Sequence, residues 1–290
     1  MNEISFFCIG AQKAGTSTLH DILVQNPDIY LPDVKETHFF RDDEKYNLGR
    51  AHYFKKYFSA RESDFLGEID PEYSYFTECA QRIKETLGDS IKFLFILRNP
   101  VDRAYSHYLM TKRRGYEELG FIEALEKENS RLCNHWGRIH HSYISRGIYS
   151  TQINRYTKLF GKNNLKIILF EDLIKDMEGT VNSISKFIGL PPYEYDFDLK
   201  SNIASEPKSI LLRNFIFKPN YIKKLLGKMI WSEELKANII TSLNRKNLKP
   251  VKNSLLSNNQ KKLVHDLYFS DEINLLEKIV GRSLQHWRYE

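Results

Sequence analysis

The segment ISFFCIGAQKAGTSTL, residues 4–19, decides the fold. Its apolar run Ile4–Ile9 stops at Gly10 and predicts a buried strand. Apolar residues then recur at the helical spacing Leu19, Ile22 and Leu23, with hydroxyl residues just before them, as at a helix start. The segment therefore predicts a strand, a tight loop and a helix.

Further apolar runs continue this alternation. The predicted strands are Phe65–Ile69, Ile91–Leu97 and Leu165–Phe170, and the predicted helices include Thr151–Phe160, Met177–Ile188 and one that begins at Pro100. Alternating strands and helices indicate a parallel sheet. After Pro192 we expect helices, notably over 222–230 and 260–268, and no further strand.

The predicted fold is α/β: a P-loop-like parallel β-sheet flanked by helices, with a helical C-terminal portion. We expect a single domain over 1–290, with an α/β nucleotide-binding core (1–192) and a mostly helical part (193–290).

Composition bounds the class of protein. A hydrophobic content of 41% over 290 residues is typical of a globular chain. The net charge of +6 suits an anionic ligand but is too small to indicate a nucleic acid. Cys8, Cys79 and Cys133 are too widely spaced for a disulfide framework or a zinc site. No signal peptide is evident and no run approaches the roughly 20 apolar residues of a membrane span, so we expect a cytoplasmic enzyme without a transmembrane segment.

The loop between the first strand and helix has the features of a phosphate cradle. Glycines allow close approach of the backbone, and N–H groups at a helix start point at an anion. Gly10, Gly15 and Ser17 fit the Walker spacing GxxxxGK[ST], but Thr16 occupies the lysine position and the lysine of the loop is Lys13. This arrangement disfavours a magnesium-dependent NTPase. The alternative that the loop is only a turn stays open.

Two motifs resemble those of the sulfotransferases. The segment GAQKAGTSTL (10–19) resembles their 5′-phosphosulfate loop, and ILRNPVDRAYS (96–106) resembles their 3′-phosphate segment. The resemblance extends over nearly the whole chain through KETHFF (35–40), GIY (147–149), FEDL (170–173) and Trp287, and is closest to the bacterial and heparan-sulfate-type, glycan-directed branch. It implies 3′-phosphoadenosine 5′-phosphosulfate (PAPS) as co-substrate, adenosine 3′,5′-bisphosphate (PAP) as product, and no metal.

The resemblance also implies the residues that bind the co-substrate. Those of the first loop are Gln12, Lys13, Ala14, Gly15, Thr16, Ser17 and Thr18. Arg98 and Ser106 would hold the 3′-phosphate, and Lys208, with Asn202 nearby in sequence, would close over the nucleotide. Independently, Arg98 follows a buried strand and therefore emerges at the carboxyl edge of the sheet, where ligands bind in such folds. Its planar guanidinium matches a phosphate, although pairing with a carboxylate is an alternative.

An acceptor hydroxyl needs a proton acceptor during transfer. Glu68 is the first choice as base, because it ends a short strand and aligns with the glutamate of the Glu-Lys-Thr-Pro-x-Tyr segment of heparan-type enzymes. This chain has Ile69 and Asp70 in place of the lysine and threonine. A cap or a lysine pair is the alternative role for Glu68. His38 is the second candidate, with structural support as its alternative role. No His, Cys or carboxylate spacing indicates a metal.

The predicted function is sulfuryl transfer from PAPS to a hydroxyl or amine of an acceptor by in-line displacement, with Lys13 stabilising the leaving group. The predicted acceptor is a glycan or glycolipid, and a lipid or small metabolite stays an alternative. A P-loop-type nucleotide kinase and a non-catalytic nucleotide- or polyanion-binding protein are the competing classes.

Aromatic and basic residues at 112–116 and 135–149, including His140 and His141, would line the acceptor cleft or form ordinary surface. The oligomeric state cannot be read from the sequence.

Overall fold

The computed structural model describes residues 3–59, 63, 65–198, 205–217, 240, 242–243, 246–250 and 256–289. The strands are β1 (Ile4–Gly10), β2 (Ile29–Tyr30), β3 (Phe65–Ile69), β4 (Lys92–Leu97), β5 (Leu165–Leu169), β6 (Ser205–Pro207) and β7 (Leu248–Pro250). The first helices are α1 (Thr16–Leu23), α2 (Asp43–Tyr46), α3 (Gly49–Tyr57), α4 (Thr77–Leu87), α5 (Pro100–Arg114), α6 (Phe121–Glu126), α7 (Glu128–Arg131) and α8 (His135–His140). The later helices are α9 (Tyr149–Phe160), α10 (Phe170–Lys175), α11 (Met177–Ile188), α12 (Ile210–Phe217), α13 (Asn258–Val264) and α14 (Ser270–Val280), with a π-helical turn at His265–Phe269.

The first five strands form one parallel sheet in the order β2-β3-β1-β4-β5. β1 lies at the centre, where Phe7 is opposite Glu68 of β3 on one side and Phe93 of β4 on the other. Burial explains the composition of these strands, since a parallel sheet covered on both faces needs continuous apolar runs. The carboxyl ends of β1, β3, β4 and β5 meet at one edge, so the residues that follow each strand lie together there.

The predicted α/β fold is confirmed. β3, the start of α5 at Pro100, and α11 have the predicted bounds, and β1, β4, β5 and α9 differ by one or two residues. The prediction of no strand after Pro192 was wrong, because β6 and β7 form a two-stranded antiparallel sheet. Strands of three residues are too short to produce a periodic pattern. The predicted helix over 222–230 and the candidate Asn202 lie outside the described residues.

The chain folds into two compact units. One contains Met1–Arg103, Ile144–Lys200 and Lys262–Glu290, and therefore the whole parallel sheet; the other contains Ala104–Tyr143 and Ser201–Lys261. The sequence analysis instead divides a single domain into parts 1–192 and 193–290. That division stays a prediction. Within the described part of the chain, no helix is both long enough and apolar enough to cross a membrane.

Candidate functional site

The loop between β1 and α1 is held in one conformation by its backbone. Lys13 and Gly15 have positive φ angles of 73° and 89°. A Cβ atom on Gly15 would lie 3.0 Å from the Phe170 ring, so glycine serves both the left-handed backbone and the close packing here. Ala11 N–H donates to the carbonyl of Ile96 at 2.7 Å, which fixes the loop to β4. The loop is therefore an ordered part of the sheet edge.

The start of α1 presents unsatisfied donors. Gly15 is the N-cap and supplies no side-chain cap. Leu19 N–H is the first to bond back within the helix, to the Gly15 carbonyl at 3.1 Å. Among the described residues, no acceptor is bonded to the N–H groups over 15–18. Uncapped N–H groups at a helix N-terminus form an anion site. Backbone donors therefore lie where the sequence predicts a phosphate cradle, and the cradle itself and the roles of Thr16, Ser17 and Thr18 stay predictions.

Arg98 contacts this loop directly. Its Nη1 donates to the carbonyl of Lys13 at 2.9 Å, and the guanidinium lies 4.9 Å from the centre of the Phe170 ring. Tyr149 Oη donates to the Arg98 carbonyl at 2.9 Å. No carboxylate lies within ion-pair distance of Arg98 in the part of the chain that the structure describes. The structure therefore brings Arg98 and the loop together, and none of the carboxylates in the described ranges pairs with this guanidinium.

The turn after Arg98 is fixed by the C-terminus. Asn99 Nδ2 donates to the Trp287 carbonyl at 3.0 Å, and Asn99 Oδ1 accepts from Val101 N–H at 3.0 Å, which caps α5. The Trp287 ring is fully buried and its Nε1 donates to Glu171. Through these contacts Trp287, near the end of the chain, stabilises the turn at residues 98–100.

Two predicted ligands lie in the second compact unit. Ser106 is half-buried on α5. Lys208 is exposed, its Nζ donates to the Lys246 carbonyl at 3.1 Å, and its N–H donates to the Asn247 carbonyl at 2.6 Å. Their predicted contacts with the nucleotide stay predictions.

Glu68 is enclosed at the end of β3. Its side chain is fully buried, and its two oxygens accept from Thr37 Oγ1 at 2.6 Å, from Tyr73 Oη at 2.7 Å and from Tyr53 Oη. Burial, reinforced by the charge of Asp70, raises the pKa of Glu68 to about 7, against the effect of the three hydroxyl donors. Glu68 is the predicted base, and its role stays a prediction. The geometry adds that no oxygen of this carboxylate faces solvent.

His38 and Asp70 form a pair beside Glu68. His38 Nδ1 lies 2.9 Å from Asp70 Oδ2, and the His38 backbone N–H donates to the same oxygen at 2.8 Å. Burial alone would lower the pKa of His38, but the charge and the hydrogen bond of Asp70 outweigh it, and the pKa is raised. The Asp70 side chain is fully buried, whereas 27% of the His38 side chain is exposed.

Glu72 occupies the centre of a buried ionic cluster. Arg146 donates to both of its oxygens, at 2.8 and 3.1 Å, and Arg41 Nη1 donates at 3.3 Å. Gln12 Nε2 donates to Glu72 at 2.8 Å, so the side chain of this predicted ligand is bonded to the cluster. Burial opposes ionisation, but Arg146 and Arg41 hold the pKa of Glu72 below its usual value. The cluster connects the loop between β1 and α1 to the segment after β3.

One group of side chains has ligand-type atoms close together. Atoms of Glu36, His38 and Asp70 lie within 4.8 Å of one another. Protein contacts account for each of them, because His38 bonds to Asp70 and Lys35 Nζ donates to Glu36 at 2.7 Å. We therefore assign no metal site to the group. In the second unit, His140 and His141 lie against Trp136, with ring centroids 4.7 and 4.9 Å away.

Sequence reasoning missed most of the partners of the carboxylates. Thr37 and Tyr53 were not singled out, nor were Arg41 and Arg146. Thr37 lies inside the KETHFF segment and Arg146 directly before GIY, both of which carry the family resemblance. Their positions in or next to these segments could have identified Thr37 and Arg146 as candidate site residues. Tyr53 lies on α3, where nothing in the sequence marks it.

Comparisons with known proteins identify related chains. The model of the sulfotransferase domain matches residues 3–218. A solved structure, the sulfotransferase from Alicyclobacillus acidocaldarius, superposes with a TM-score of 0.70 at 26% identity and covers 99% of both chains.

Curated relatives point to the same family. Human heparan sulfate glucosamine 3-O-sulfotransferase 5 is 28% identical over 213 residues, which cover 72% of this chain and 60% of that protein. Mouse bifunctional heparan sulfate N-deacetylase/N-sulfotransferase 4 is 30% identical over 206 residues, which cover 65% of this chain and 22% of that protein. The chain thus spans less than two thirds of the length of these relatives. The domain match over most of the chain shows that it belongs to the sulfotransferase family.

Proposed function

We propose that this protein transfers a sulfuryl group from PAPS to a hydroxyl of a glycan. The observation that carries the proposal is the set of uncapped N–H groups over 15–18 beside Lys13 and Arg98, because backbone donors and two cations at one sheet edge suit a nucleotide with phosphates at both ends. The family match adds the reaction class.

The residues present fit such a nucleotide. The helix start and the ammonium of Lys13 would hold the 5′-phosphosulfate. Arg98, which has no carboxylate partner among the described residues, would hold the 3′-phosphate. Its bond to the Lys13 carbonyl couples the two anion sites, so that binding at one favours the geometry of the other.

The bound PAPS supplies the activated sulfuryl group. Lys13 stabilises the charge that develops on the leaving bisphosphate, as preorganised cations do in group transfer. The sheet edge positions the acceptor for in-line attack. A proton acceptor is needed at the acceptor oxygen, and Glu68 and His38 are the two candidates at the end of β3. No step requires a metal in this scheme.

The names of the curated relatives support a glycan acceptor. Both are heparan sulfate sulfotransferases, one acting on the 3-O position of glucosamine and one bearing an N-sulfotransferase activity. We propose an anionic polysaccharide or its lipid-linked form as the acceptor class. A lipid or a small metabolite is the alternative within the same reaction.

Binding of the product nucleotide tests the co-substrate. We expect PAP to raise the melting temperature and to bind more tightly than ATP or AMP, because only PAP carries both a 3′- and a 5′-phosphate. Arg98→Ala should remove most of the preference of PAP over AMP, whereas Lys158→Ala, an exposed lysine on α9, is the matched control. Equal affinity for PAP and AMP would contradict the proposal. Preference for ATP with Mg²⁺ would favour the kinase alternative, which Thr16 in the Walker lysine position disfavours.

Incorporation of ³⁵S from labelled PAPS tests the acceptor class. We expect label in heparan sulfate or a related anionic polysaccharide, and none in a phenol or a sterol. Label in lipid extracts alone would replace the glycan proposal with the lipid alternative.

A further inference from the structure

Lys13 has a backbone conformation that its surroundings must support. Its φ angle of 73° lies in the left-handed region, which is uncommon for a residue with a side chain. Such a conformation persists where the neighbouring structure imposes it. On the side of β4, Ala11 N–H donates to the Ile96 carbonyl at 2.7 Å. Arg98, which follows β4, donates to the Lys13 carbonyl at 2.9 Å. On the side of β3, the contact to the loop comes through the side chain of Gln12.

The side chain of Gln12 is turned towards Glu72. Its Nε2 donates to Glu72 Oε1 at 2.8 Å. An ionised carboxylate only accepts hydrogen bonds, so it fixes which end of the amide faces it. The amide nitrogen is the end of a glutamine side chain that can donate to a phosphate, and here it is directed to a carboxylate of the protein.

Glu72 is fixed independently of Gln12. Its side chain is buried, Arg146 donates to both of its oxygens, and Arg41 donates to one of them. Aromatic rings hold the two guanidinium groups in turn. Arg146 lies 4.3 Å from the centre of the Tyr75 ring, and Arg41 lies 5.5 Å from the centre of the Phe76 ring. Glu72 is therefore a rigid anchor to which the loop between β1 and α1 is attached.

We propose that Gln12 is a positioning residue of the transfer reaction, whose bond to Glu72 holds Lys13 where its ammonium meets the leaving bisphosphate. The side chain of Gln12 is then bound to the protein and is not a ligand of PAPS, which changes the role implied by the family resemblance. This inference rests on the proposed function and deepens it, because it says what sets the geometry of Lys13. Loss of the bond should affect the rate through Lys13 and leave ground-state binding of the nucleotide intact.

Gln12→Leu is the decisive variant. Leucine removes the amide and leaves Glu72 with both of its arginine partners. With labelled PAPS and heparan sulfate as the probe acceptor, we expect kcat to fall by about 10- to 10²-fold, as misplacement of a catalytic group does. The melting temperature and the affinity for PAP should stay unchanged. Gln81→Leu is the matched control, because it removes an amide–carboxylate bond of the same 2.8 Å length, to Glu85, on the exposed surface of α4.

Two further variants separate positioning from a structural role. Glu72→Gln keeps a side-chain oxygen that can accept from Gln12 but removes the charge between Arg41 and Arg146. We expect it to lower the melting temperature more than Gln12→Leu does, while the kcat of the folded protein falls less. In a Lys13→Ala background, Gln12→Leu should cause no additional loss of kcat, because its effect acts through the lysine that is already absent.

The outcomes separate this inference from the proposed function. Wild-type kcat in Gln12→Leu, an additional loss in the Lys13→Ala background, or a fall in PAP affinity as large as the fall in kcat overturns the positioning role. Absence of PAP binding by the wild type overturns the proposed function itself.

Hydrogen exchange gives a readout that needs no substrate. Ala14 N–H donates to the Ala11 carbonyl at 3.1 Å within the loop, so its exchange rate reports loop opening. We expect this amide to exchange faster in Gln12→Leu than in Gln81→Leu. Equal exchange rates in the two variants would overturn the inference.

Discussion

The two halves of the candidate site satisfy their polar groups in opposite ways. In the loop over 10–18, donors at the start of α1 have no acceptor among the described residues, and Lys13 and Arg98 bring positive charge beside them. At the end of β3, the carboxylates of Glu68, Asp70 and Glu72 each have two or more donors. The first half is therefore built from donors and cations, whereas the second pairs its carboxylates with donors of the protein itself.

The three carboxylates also differ from one another, although they are spaced two residues apart. Burial and the charge of Asp70 raise the pKa of Glu68 to about 7, although three hydroxyl donors act in the opposite direction. Burial would raise the pKa of Asp70 as well, but His38 and backbone donors lower it, and two arginines do the same for Glu72. The identity of the partner, and not burial alone, therefore decides the charge of each group.

The largest expected effect is on stability and arises from the Glu72 cluster. Arg146→Met should reduce the free energy of unfolding by about 3–5 kcal/mol, because it leaves a buried carboxylate with one weaker cation partner. Arg282→Ala removes an ion pair with Asp172 whose side chains are 50% and 39% exposed, and should cost less than about 1 kcal/mol. Urea unfolding at pH 7 measures both. If both variants lost a similar free energy of unfolding, the expected difference between a buried and an exposed ion pair would be contradicted.

The next effect concerns the loop. Lys13→Ala should lower sulfuryl transfer about 10²–10³-fold, as loss of one preorganised charge-stabilising group does. The melting temperature should change little, because the lysine side chain is only half-buried. The rate is measured with labelled PAPS, and Lys158→Ala serves as control. Near-wild-type transfer in Lys13→Ala would show that the loop binds without contributing to the reaction.

A pH dependence of stability should follow from Glu68. The folded state holds the Glu68 proton up to about pH 7, whereas the unfolded chain releases it near 4.5, so the folded state loses stability as pH rises through this window. The loss is on the order of 3 kcal/mol. Glu68→Gln mimics the protonated form and should be close to wild type at pH 5 but more stable than wild type at pH 8. Unfolding free energies at these two pH values test the sign, and equal pH dependence in both proteins would refute it.

The smallest expected effect is at Gly15. Gly15→Ala should destabilise the protein by about 1–2 kcal/mol, because alanine is strained at a φ of 89°. The Phe170 ring, 3.0 Å from the added Cβ, must also give way. We expect PAP affinity to fall more than stability, since the N–H groups that follow move with residue 15. Gly189→Ala, at a φ of 89° and a ψ of 21° with no atom within 4 Å of the added Cβ, is the matched control for backbone strain alone. A calorimetric titration with PAP on both variants separates the two effects.

Much of the architecture could be predicted because its signals are local. The apolar runs of β1, β3 and β4 are continuous and each ends at a turn residue, so their number and bounds are readable from the chain. The strands β2, β6 and β7 were not predicted, because a strand of two or three residues is too short to show an alternating hydrophobic pattern. The site was predicted in part by the same means: Lys13 and Arg98 follow strands, and the ends of parallel strands meet at one edge.

The sequence by itself determined which residues follow each strand, and hence that a cationic loop and an acidic segment lie at one edge of a parallel sheet. Only the tertiary structure decided the state of the acidic segment. Thr37 and Tyr53 donate to Glu68 from other segments of the chain, Arg146 donates to Glu72 across 74 residues, and His38 pairs with Asp70 across 32 residues. Strand periodicity is a property of neighbouring residues, whereas the burial and pairing that set a pKa depend on contacts between segments far apart in the chain.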